Sequence, residues 1–307
     1  MGLPQSVIIP ESRQYSLFVT LKLIDMQVNA RAVARALSGV PDLTGEIGRL
    51  DPDAGLTAGV AFGPAFWAMV TPVAGPPGLH AFVPLGEGAL AAPATGGDVL
   101  VHINSARADL NYECFARLWR LLKGRATVME EVAAFRYLDA RDLTGFIDGT
   151  ENPQGEERAD VALIDDDVAD FAGGSFVMTQ RYVHDLDKWE TLSKAEQEGA
   201  VGRTKQDSVE LEDEERPETA HISRVVIEAD GEELEIVRHS LPYGTVAGEK
   251  GLFFIAYNKN LDTFEKMLSR MFGVSGDGLH DRLMDYTTPV TGAFFFTPSE
   301  TMLRSLG

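Results

Sequence analysis

The residues most able to carry chemistry lie in three short segments of the second half of the chain. The first, GFIDGTENP from Gly145 to Pro153, sets the carboxylate of Asp148 in a predicted tight turn between glycines. The small residues of this turn let the backbone and the carboxylate come close to a flat ligand. The second segment, HISR, begins with His221, and the third, RHSLPYG, begins with Arg238.

Taken alone, an aspartate before glycine such as Asp148 normally forms a turn, so one motif would not indicate a function. The three segments in this order resemble the dye-decolourising peroxidase family, which binds haem. The family signature is a G-x-x-D-G run followed by an axial histidine and a distal arginine. The chain is most similar to the intracellular bacterial B-type branch. The resemblance covers nearly the whole chain, and its strongest motifs lie between Gly145 and Thr297.

The resemblance implies haem b, iron protoporphyrin IX, as the cofactor and His221 as the axial ligand of its iron. It implies a haem peroxidase that uses hydrogen peroxide to oxidise dyes, phenolic compounds or Mn(II) through an oxoferryl intermediate. Cleaving the peroxide needs a base that moves a proton from the near to the far oxygen, and a cation that stabilises the departing hydroxide. We expect Asp148 to be the base and Arg238 the cation. Ser240, two residues further on the same strand face, can hold an ordered water, although many relatives have asparagine there.

A histidine that binds haem iron needs an acceptor for its other ring nitrogen, and a carboxylate in this position stabilises high-valent iron. The segment HDRLMDYTTP supplies Asp281 and Asp285. The family carries an acidic residue at the position of Asp285, so Asp285 is the expected partner of His221. Asp281 can instead cap the start of a helix.

Haem propionates need hydrogen-bond donors. Arg203 in GRTK is the first candidate, with a helix C-terminal charge as its structural alternative. The residues after Asp148 can help: Gly149, Thr150, Glu151 and Asn152. Gln180 resembles a family position that lines the haem pocket.

The other histidines have structural interpretations: His102 as a core residue, His184 as a structural group, and His239 on the strand face opposite Arg238. Tryptophans such as Trp189 and the tyrosines are read mainly as core aromatics. Whether one of them at the surface transfers electrons to large dyes is left open.

The composition narrows the class of protein. The chain has 307 residues and a formal net charge of −20, so we expect it to bind neither nucleic acid nor anionic membranes. No apolar run approaches the ~18 residues of a membrane helix, and the N-terminus shows no secretory signal. The single cysteine, Cys114, excludes an internal disulfide and cysteine-based metal sites, and is expected in the core. The acidic clusters can aid solubility or attract cationic substrates. A cytoplasmic location is expected.

The expected partners are hydrogen peroxide and small reducing substrates. The resemblance implies a homo-oligomer of unspecified size. Some relatives are packaged in protein nanocompartments through a C-terminal extension, and the ten residues after Thr297 are too few for such a tag. We therefore expect that the chain is not encapsulin cargo.

The elements that must position these residues follow from the hydrophobic pattern. Alternation predicts strands at 15–24, 60–70, 98–103, 127–137, 175–184, 234–238, 252–257 and 294–297. Helical spacing predicts helices at 28–37, 106–122 and 261–272, and Ser193 with Glu196 predicts a capping box for a short helix before Gly202.

This order predicts an α+β fold made of two ferredoxin-like β-α-β-β-α-β halves, with antiparallel sheets and peripheral helices. The predicted halves are residues 1–144 and 145–307. The resemblance implies that haem binds mainly in the C-terminal half.

Two other functions remain open at this stage. A haem-binding protein for storage, transport or sensing would keep His221 but would not need both Asp148 and Arg238. A protein that releases iron from haem would yield free protoporphyrin without peroxide.

Overall fold

The computed structural model describes residues 2–168, 170–229 and 231–307. Its strands are β1 Tyr15–Leu23, β2 Thr57–Phe62, β3 Val99–Ser105, β4 Ala126–Phe135, β5 Ser175–His184, β6 Glu228–Ala229, β7 Glu232–Glu233, β8 Val237–Arg238, β9 Leu241–Gly244, β10 Lys250–Asn258, β11 Thr287–Pro289 and β12 Ala293–Thr297. Its α-helices are α1 Met26–Ser38, α2 Val40–Gly48, α3 Pro64–Val70, α4 Ala108–Leu122, α5 Glu157–Ala162, α6 Leu186–Trp189, α7 Lys194–Val201, α8 His221–Val225, α9 Leu261–Met271 and α10 Glu300–Ser305. Short 3₁₀ helices span Pro52–Ala54, Gly88–Leu90 and Arg282–Asp285.

The main sheet closes on itself. Its strands follow the order β11-β5-β12-β2-β3-β1-β4-β9-β10-β8, and β5 also pairs with β10. The ring of strands β5, β12, β2, β3, β1, β4, β9 and β10 is therefore a closed barrel, with β11 and β8 outside it. The pairings in this sheet are antiparallel, so the fold is a mixed α and β structure built on an antiparallel barrel.

Alternation along the strands separates two cores. On β1, Leu17 and Val19 belong to the core under the helices, whereas Phe18 points to the interior of the barrel. Amphipathic helices α1 and α4 cover the first core, and Cys114 is buried on α4 as expected. The interior is filled by aromatic and branched side chains such as Phe253 and Phe295.

Most of the predicted elements occur, and β5 has the predicted bounds. Ser193 and Glu196 form the predicted capping box of α7. The predicted strand 60–70 is wrong beyond Phe62, because Pro64 takes the first position of α3, where its missing N–H costs nothing.

The strand predicted at 234–238 is mostly wrong. Only Val237 and Arg238 pair with β10, whereas the longer partner of β10 in this region is β9, which contains Pro242. Proline lowers the strand signal of LPYG, which hid β9 in the sequence pattern.

The second half leaves space between its sheet and its helices. Residues from β5, β10, α8 and α9 all face one cavity on the outer side of the barrel. In the described part of the chain, no helix has the length and apolar character needed to cross a bilayer.

Candidate functional site

The cavity is an apolar slot with polar groups at its edges. Its apolar lining comes from β5, β10 and α9, with Met178, Leu252, Phe254, Phe264, Met267 and Leu268 among the residues that face it. His221 lies on one side, and Asp148 and Arg238 also line the cavity. A cavity with this lining suits a largely apolar ligand that also carries a few charged groups.

His221 opens helix α8 and is held by a buried carboxylate. Its Nδ1 lies 2.5 Å from Oδ2 of Asp281, a residue with no exposed surface. Oδ1 of Asp281 accepts the backbone N–H of Leu283 at 2.9 Å. A carboxylate next to Nδ1 favours the tautomer with the proton on Nδ1, which leaves the lone pair of Nε2 free for a metal. We call His221 and Asp281 the proximal pair.

The expected partner of His221, Asp285, is not the one observed. Oδ1 of Asp285 lies 3.1 Å from Nε2 of His280 instead, at the partly exposed end of the 3₁₀ helix. Asp281 caps the start of this 3₁₀ helix and also binds His221, so the two roles considered for it are compatible. The turn between the two aspartates directs only the first toward the imidazole of His221.

Asp148 and Arg238 form the second polar group of the site. Nη1 of Arg238 lies 3.0 Å from Oδ1 of Asp148, and each side chain is about a quarter exposed. Gly149, which follows Asp148, has φ of 85°, a conformation that favours glycine. We call Asp148 and Arg238 the distal pair.

The side-chain amide of Asn152 holds Arg238 in place. Its Nδ2 donates to the backbone carbonyl of Arg238, and its Oδ1 accepts the backbone N–H, both at 2.9 Å. This two-bond contact imitates a neighbouring strand beside β8. The position of the guanidinium therefore depends on Asn152.

A second, polar cavity meets the first at the distal pair. Asp148, Gly149 and Arg238 line both cavities, whereas Asn152 and Ser240 line only the polar one. Oγ of Ser240 accepts the N–H of Ile255 at 3.2 Å, so part of its hydrogen-bonding capacity is used by β10. Asp148 and Arg238 therefore lie where the polar cavity meets the apolar cavity.

Arg203 lines the apolar cavity, but its guanidinium already has partners. It forms ion pairs with Glu151 and Glu210, and Nη1 donates to the carbonyl of Ser208 at 2.7 Å. Glu151 is more than half exposed, so a carboxylate of a bound ligand can replace it at Arg203. Thr150 lines the cavity beside Glu151.

Gln180 presents an unpaired donor in the cavity wall. Its Oε1 accepts the hydroxyl of Tyr182 at 2.6 Å, which fixes the orientation of the amide. Its Nε2 is fully buried and has no hydrogen-bond partner among the residues that the structure describes. A buried donor without a partner is costly, and a polar ligand group in the cavity would satisfy it.

His184 and Asp142 also line the cavity, although the sequence did not indicate either as part of this site. Nε2 of His184 lies 3.0 Å from Asp142, and its Nδ1 lies 2.7 Å from Oγ1 of Thr287. Both ring nitrogens are occupied, so His184 is a structural group rather than a ligand. Burial opposes ionisation of Asp142, but His184 and Thr144 lower the pKa of Asp142 to about 2.

The residues present fit a haem. His221 offers one ring nitrogen, the lining is mostly apolar, and Arg203 and Gln180 supply donors in the cavity wall. Among the described residues, no group of three or more histidine, cysteine, aspartate or glutamate side chains is arranged to hold a bare metal ion. A single histidine ligand beside an apolar slot matches an iron already held by a porphyrin.

Comparisons with known proteins agree with this geometry. The family models described as "Dyp-type peroxidase, N-terminal" and "Dyp-type peroxidase, C-terminal" match residues 5–136 and 139–302. The chain is 39% identical over 298 residues to a dye-decolorizing peroxidase of Mycolicibacterium paratuberculosis, covering 96% of this chain and 83% of that protein. It is 41% identical over 266 residues to one of Mycobacterium tuberculosis, covering 86% and 79% of the two chains.

Solved structures give the same result. A dye-decolorizing protein from V. cholerae is 48% identical with a TM-score of 0.93, over 98% of this chain and 99% of that one. DyPB from Rhodococcus jostii RHA1 is 42% identical with a TM-score of 0.95, over 99% and 98% of the chains, and several of its variants were solved in complex with heme. This chain therefore belongs to the Dyp-type peroxidase family.

Proposed function

We propose that this protein is a haem b peroxidase that uses hydrogen peroxide to oxidise small reducing substrates. The observation that carries the proposal is the pairing of two different polar groups on one apolar cavity. The proximal pair leaves a ring nitrogen of His221 free for iron, and the distal pair offers a carboxylate and a guanidinium. Haem-containing relatives support the cofactor.

Haem, when bound, supplies the redox chemistry of peroxide reduction. The protein residues have separate tasks around it. His221 would hold the iron of a bound haem, and Asp281 would keep its imidazole oriented and electron-rich. Arg203, Gly149 and Thr150 line the cavity, where they can bind carboxylate groups of the ligand.

On the distal side, Asp148 would accept a proton from one oxygen of hydrogen peroxide and return it to the other oxygen. Arg238 stabilises the negative charge on the departing oxygen. Because both residues also line the polar cavity, peroxide and water can reach them from that side. Ser240 lies in the same polar cavity and can hold a water near the pair.

A haem-storage or haem-handling protein is the alternative. It would need His221 and the apolar walls, but it has no use for a carboxylate and a guanidinium placed at the same edge. The Asp148–Arg238 pair, held through Asn152, therefore favours the peroxidase.

The finer architecture is also a proposal. The strand orders β2-β3-β1-β4 and β12-β5-β10-β9 support two ferredoxin-like halves that together form the barrel. We place their boundary near residues 144 and 145, with the haem cavity mainly in the second half.

Several properties of the protein in its cell stay predictions. These are oxidation of phenols and Mn(II), a homo-oligomeric state, a cytoplasmic location and the lack of binding to membranes or nucleic acid. A structural neighbour from Mycobacterium smegmatis, 37% identical with a TM-score of 0.94, is described as encapsulated. The expectation that this chain is not encapsulin cargo is therefore best tested by co-expression with a shell protein.

The test of the function is steady-state dye oxidation by the haem-loaded protein with and without hydrogen peroxide. We expect turnover that requires peroxide and leaves the porphyrin metallated. Free protoporphyrin appearing without peroxide would support iron release instead. Stable haem binding with no turnover of several dyes would support storage.

A further inference from the structure

The barrel interior contains a polar cluster that the proposed mechanism does not use. Tyr257, His102 and His239 are all buried there among apolar side chains. The hydroxyl of Tyr257 lies 2.9 Å from Nδ1 of His102, and the ring centroids of His102 and His239 are 5.7 Å apart. Burying three such groups in a core is costly unless they are paired or have a use.

The hydrogen bond has a definite direction. Within the described part of the chain, Nε2 of His102 has no hydrogen-bond partner. If Tyr257 donates to Nδ1, one N–H of His102 is unpaired; if His102 donates, both the phenol hydrogen and the Nε2 lone pair are unpaired. The first arrangement leaves fewer unsatisfied groups, so Tyr257 donates to His102.

The pair lies just behind the haem cavity. Leu252 and Phe254 of β10 face the cavity, whereas Phe253, Ile255 and Tyr257 of the same strand face the barrel interior. Ala256 pairs with Arg238 across the sheet, and Tyr257 pairs with Val237. One layer of sheet therefore separates the phenol of Tyr257 from the distal side of the cavity.

We propose that Tyr257 and His102 form a proton-coupled redox site, in which Tyr257 gives one electron to the peroxide-oxidised haem centre while its phenolic proton moves to Nδ1 of His102. The proposal rests on the haem peroxidase function proposed above. It gives the enzyme an internal store for an oxidising equivalent when no reducing substrate is bound.

The step balances. The O–H bond of Tyr257 breaks and an N–H bond forms at Nδ1 of His102, while the haem centre is reduced by one electron. The products are a neutral tyrosyl radical and an imidazolium that donates back to the phenoxyl oxygen. One electron from a reducing substrate, with the proton returning to oxygen, restores both residues.

The surroundings favour transfer of the proton together with the electron. Burial raises the pKa of Tyr257, so its phenolate is not available as the electron donor. Burial, and then the neighbouring His239, keep the pKa of His102 well below its usual range, so its ring is neutral with a lone pair ready at Nδ1. An oxidised phenol that kept its proton would be a much stronger acid than imidazolium, so the proton still moves to His102.

The test is rapid-freeze electron paramagnetic resonance of the haem-loaded protein mixed with peroxide in the absence of reductant. We expect a tyrosyl radical signal that narrows when the tyrosine rings are deuterated. Tyr257→Phe should abolish this signal. Tyr243→Phe, the matched control, should retain it, because the hydroxyl of Tyr243 contacts Arg181 and the carbonyl of Tyr182 rather than an imidazole.

His102→Gln keeps Tyr257 and a hydrogen-bond acceptor but removes the base. We expect the radical yield to fall roughly 10²-fold, the low end for the loss of a positioned base, because an amide cannot take up the phenolic proton. A Soret change on adding peroxide shows that the cofactor has reacted, and its absence would count against the peroxidase function itself. With that change present, a missing tyrosyl signal or an equal signal in Tyr257→Phe would overturn the redox site. An unchanged yield in His102→Gln would overturn the role of His102.

Discussion

The proximal and distal sides of the cavity hold their polar groups in different ways. On the proximal side, Asp281 is fully buried and fixed by the backbone of Leu283, so the imidazole of His221 has one orientation. On the distal side, Asp148 and Arg238 are partly exposed and open to a polar cavity, and the backbone of Arg238 is held by Asn152. Binding a metal needs a rigid ligand, whereas moving protons needs contact with water.

This difference predicts that proximal substitutions change haem binding and iron chemistry, whereas distal substitutions change the rate with peroxide. The largest effect should follow His221→Ala. It removes the ring nitrogen that the proximal pair leaves free for iron, so the haem should bind weakly or not at all. Titration of apoprotein with haem measures the affinity. Wild-type affinity and Soret intensity in this variant would exclude His221 as the ligand.

Arg238→Leu should slow the reaction with peroxide while leaving haem binding close to wild type. The guanidinium acts mainly as charge develops on the departing oxygen, so we expect a loss of roughly 10²-fold or more. Stopped-flow mixing with peroxide measures this rate. If haem affinity falls as much as the rate, the division between the two sides is wrong.

The stability of the folded protein should fall in acid because of His239, which lies next to the distal pair. His239 is adjacent to Arg238 and contacts Ser12, Arg158 and the carbonyl of Ile8. Burial, and then the charge of Arg158, lower the pKa of His239 to about 4 from 6.5. Between these two pKa values, the unfolded chain binds a proton at His239 that the folded protein excludes. The free energy of unfolding is therefore highest above pH 6.5 and falls as the pH is lowered toward 4.

The shift corresponds to about 3 kcal/mol of unfolding free energy across this range. Burial, and then His239, also lower the pKa of His102, so His102 reduces the free energy of unfolding further as the pH falls. Urea unfolding of wild type and His239→Gln between pH 4 and 7 measures the effect. We expect a shallower dependence on pH in the variant, and an identical dependence would show that His239 is not excluded from protonation.

Asn152→Ala should have a smaller effect on the same side. It removes both hydrogen bonds to the backbone of Arg238, and we expect a loss of roughly tenfold in the peroxide rate, about 1.4 kcal/mol. Asn152→Asp, which keeps the acceptor for the N–H of Arg238 but loses the donor, should lie between this variant and wild type. Equal rates in all three proteins would show that the two hydrogen bonds from Asn152 do not position Arg238.

Asp281→Asn and Asp285→Asn compare the observed and the expected partner of His221. Replacing Asp281 makes the imidazole donate less electron density to the iron. The Fe(III)/Fe(II) potential should therefore rise by roughly 60 mV, which corresponds to a tenfold change in the equilibrium constant of a one-electron reduction. Asp285→Asn should leave the potential close to wild type. Spectroelectrochemical titration measures both, and the reverse order would restore Asp285 as the partner.

The sequence predicted which residues meet at the cavity better than it predicted their hydrogen-bond partners. GFIDGTENP, His221 and Arg238 are local motifs, and the fold brings them to one cavity. The choice between Asp281 and Asp285 could not be made from sequence, because both are acidic and a 3₁₀ turn decides which one faces His221.

Contacts between residues far apart in the chain could not be predicted from the sequence either. Asn152 and Arg238 are 86 positions apart, and His102 and Tyr257 are 155 apart, so no local pattern connects them. The closure of the barrel depends on β5 pairing with β10, which alternation within each strand cannot reveal. Pro242 in β9 hid one strand of the ring.

The measurement that tests the central claim most directly is single-turnover mixing of the haem-loaded wild-type protein with one equivalent of hydrogen peroxide, followed by its absorption spectrum. We predict a haem spectrum before mixing, a change in the Soret band whose rate rises in proportion to peroxide concentration, and a return to the starting spectrum when a reducing dye is added. A protein that takes up no haem, or a haem complex whose spectrum does not respond to peroxide, would contradict the account.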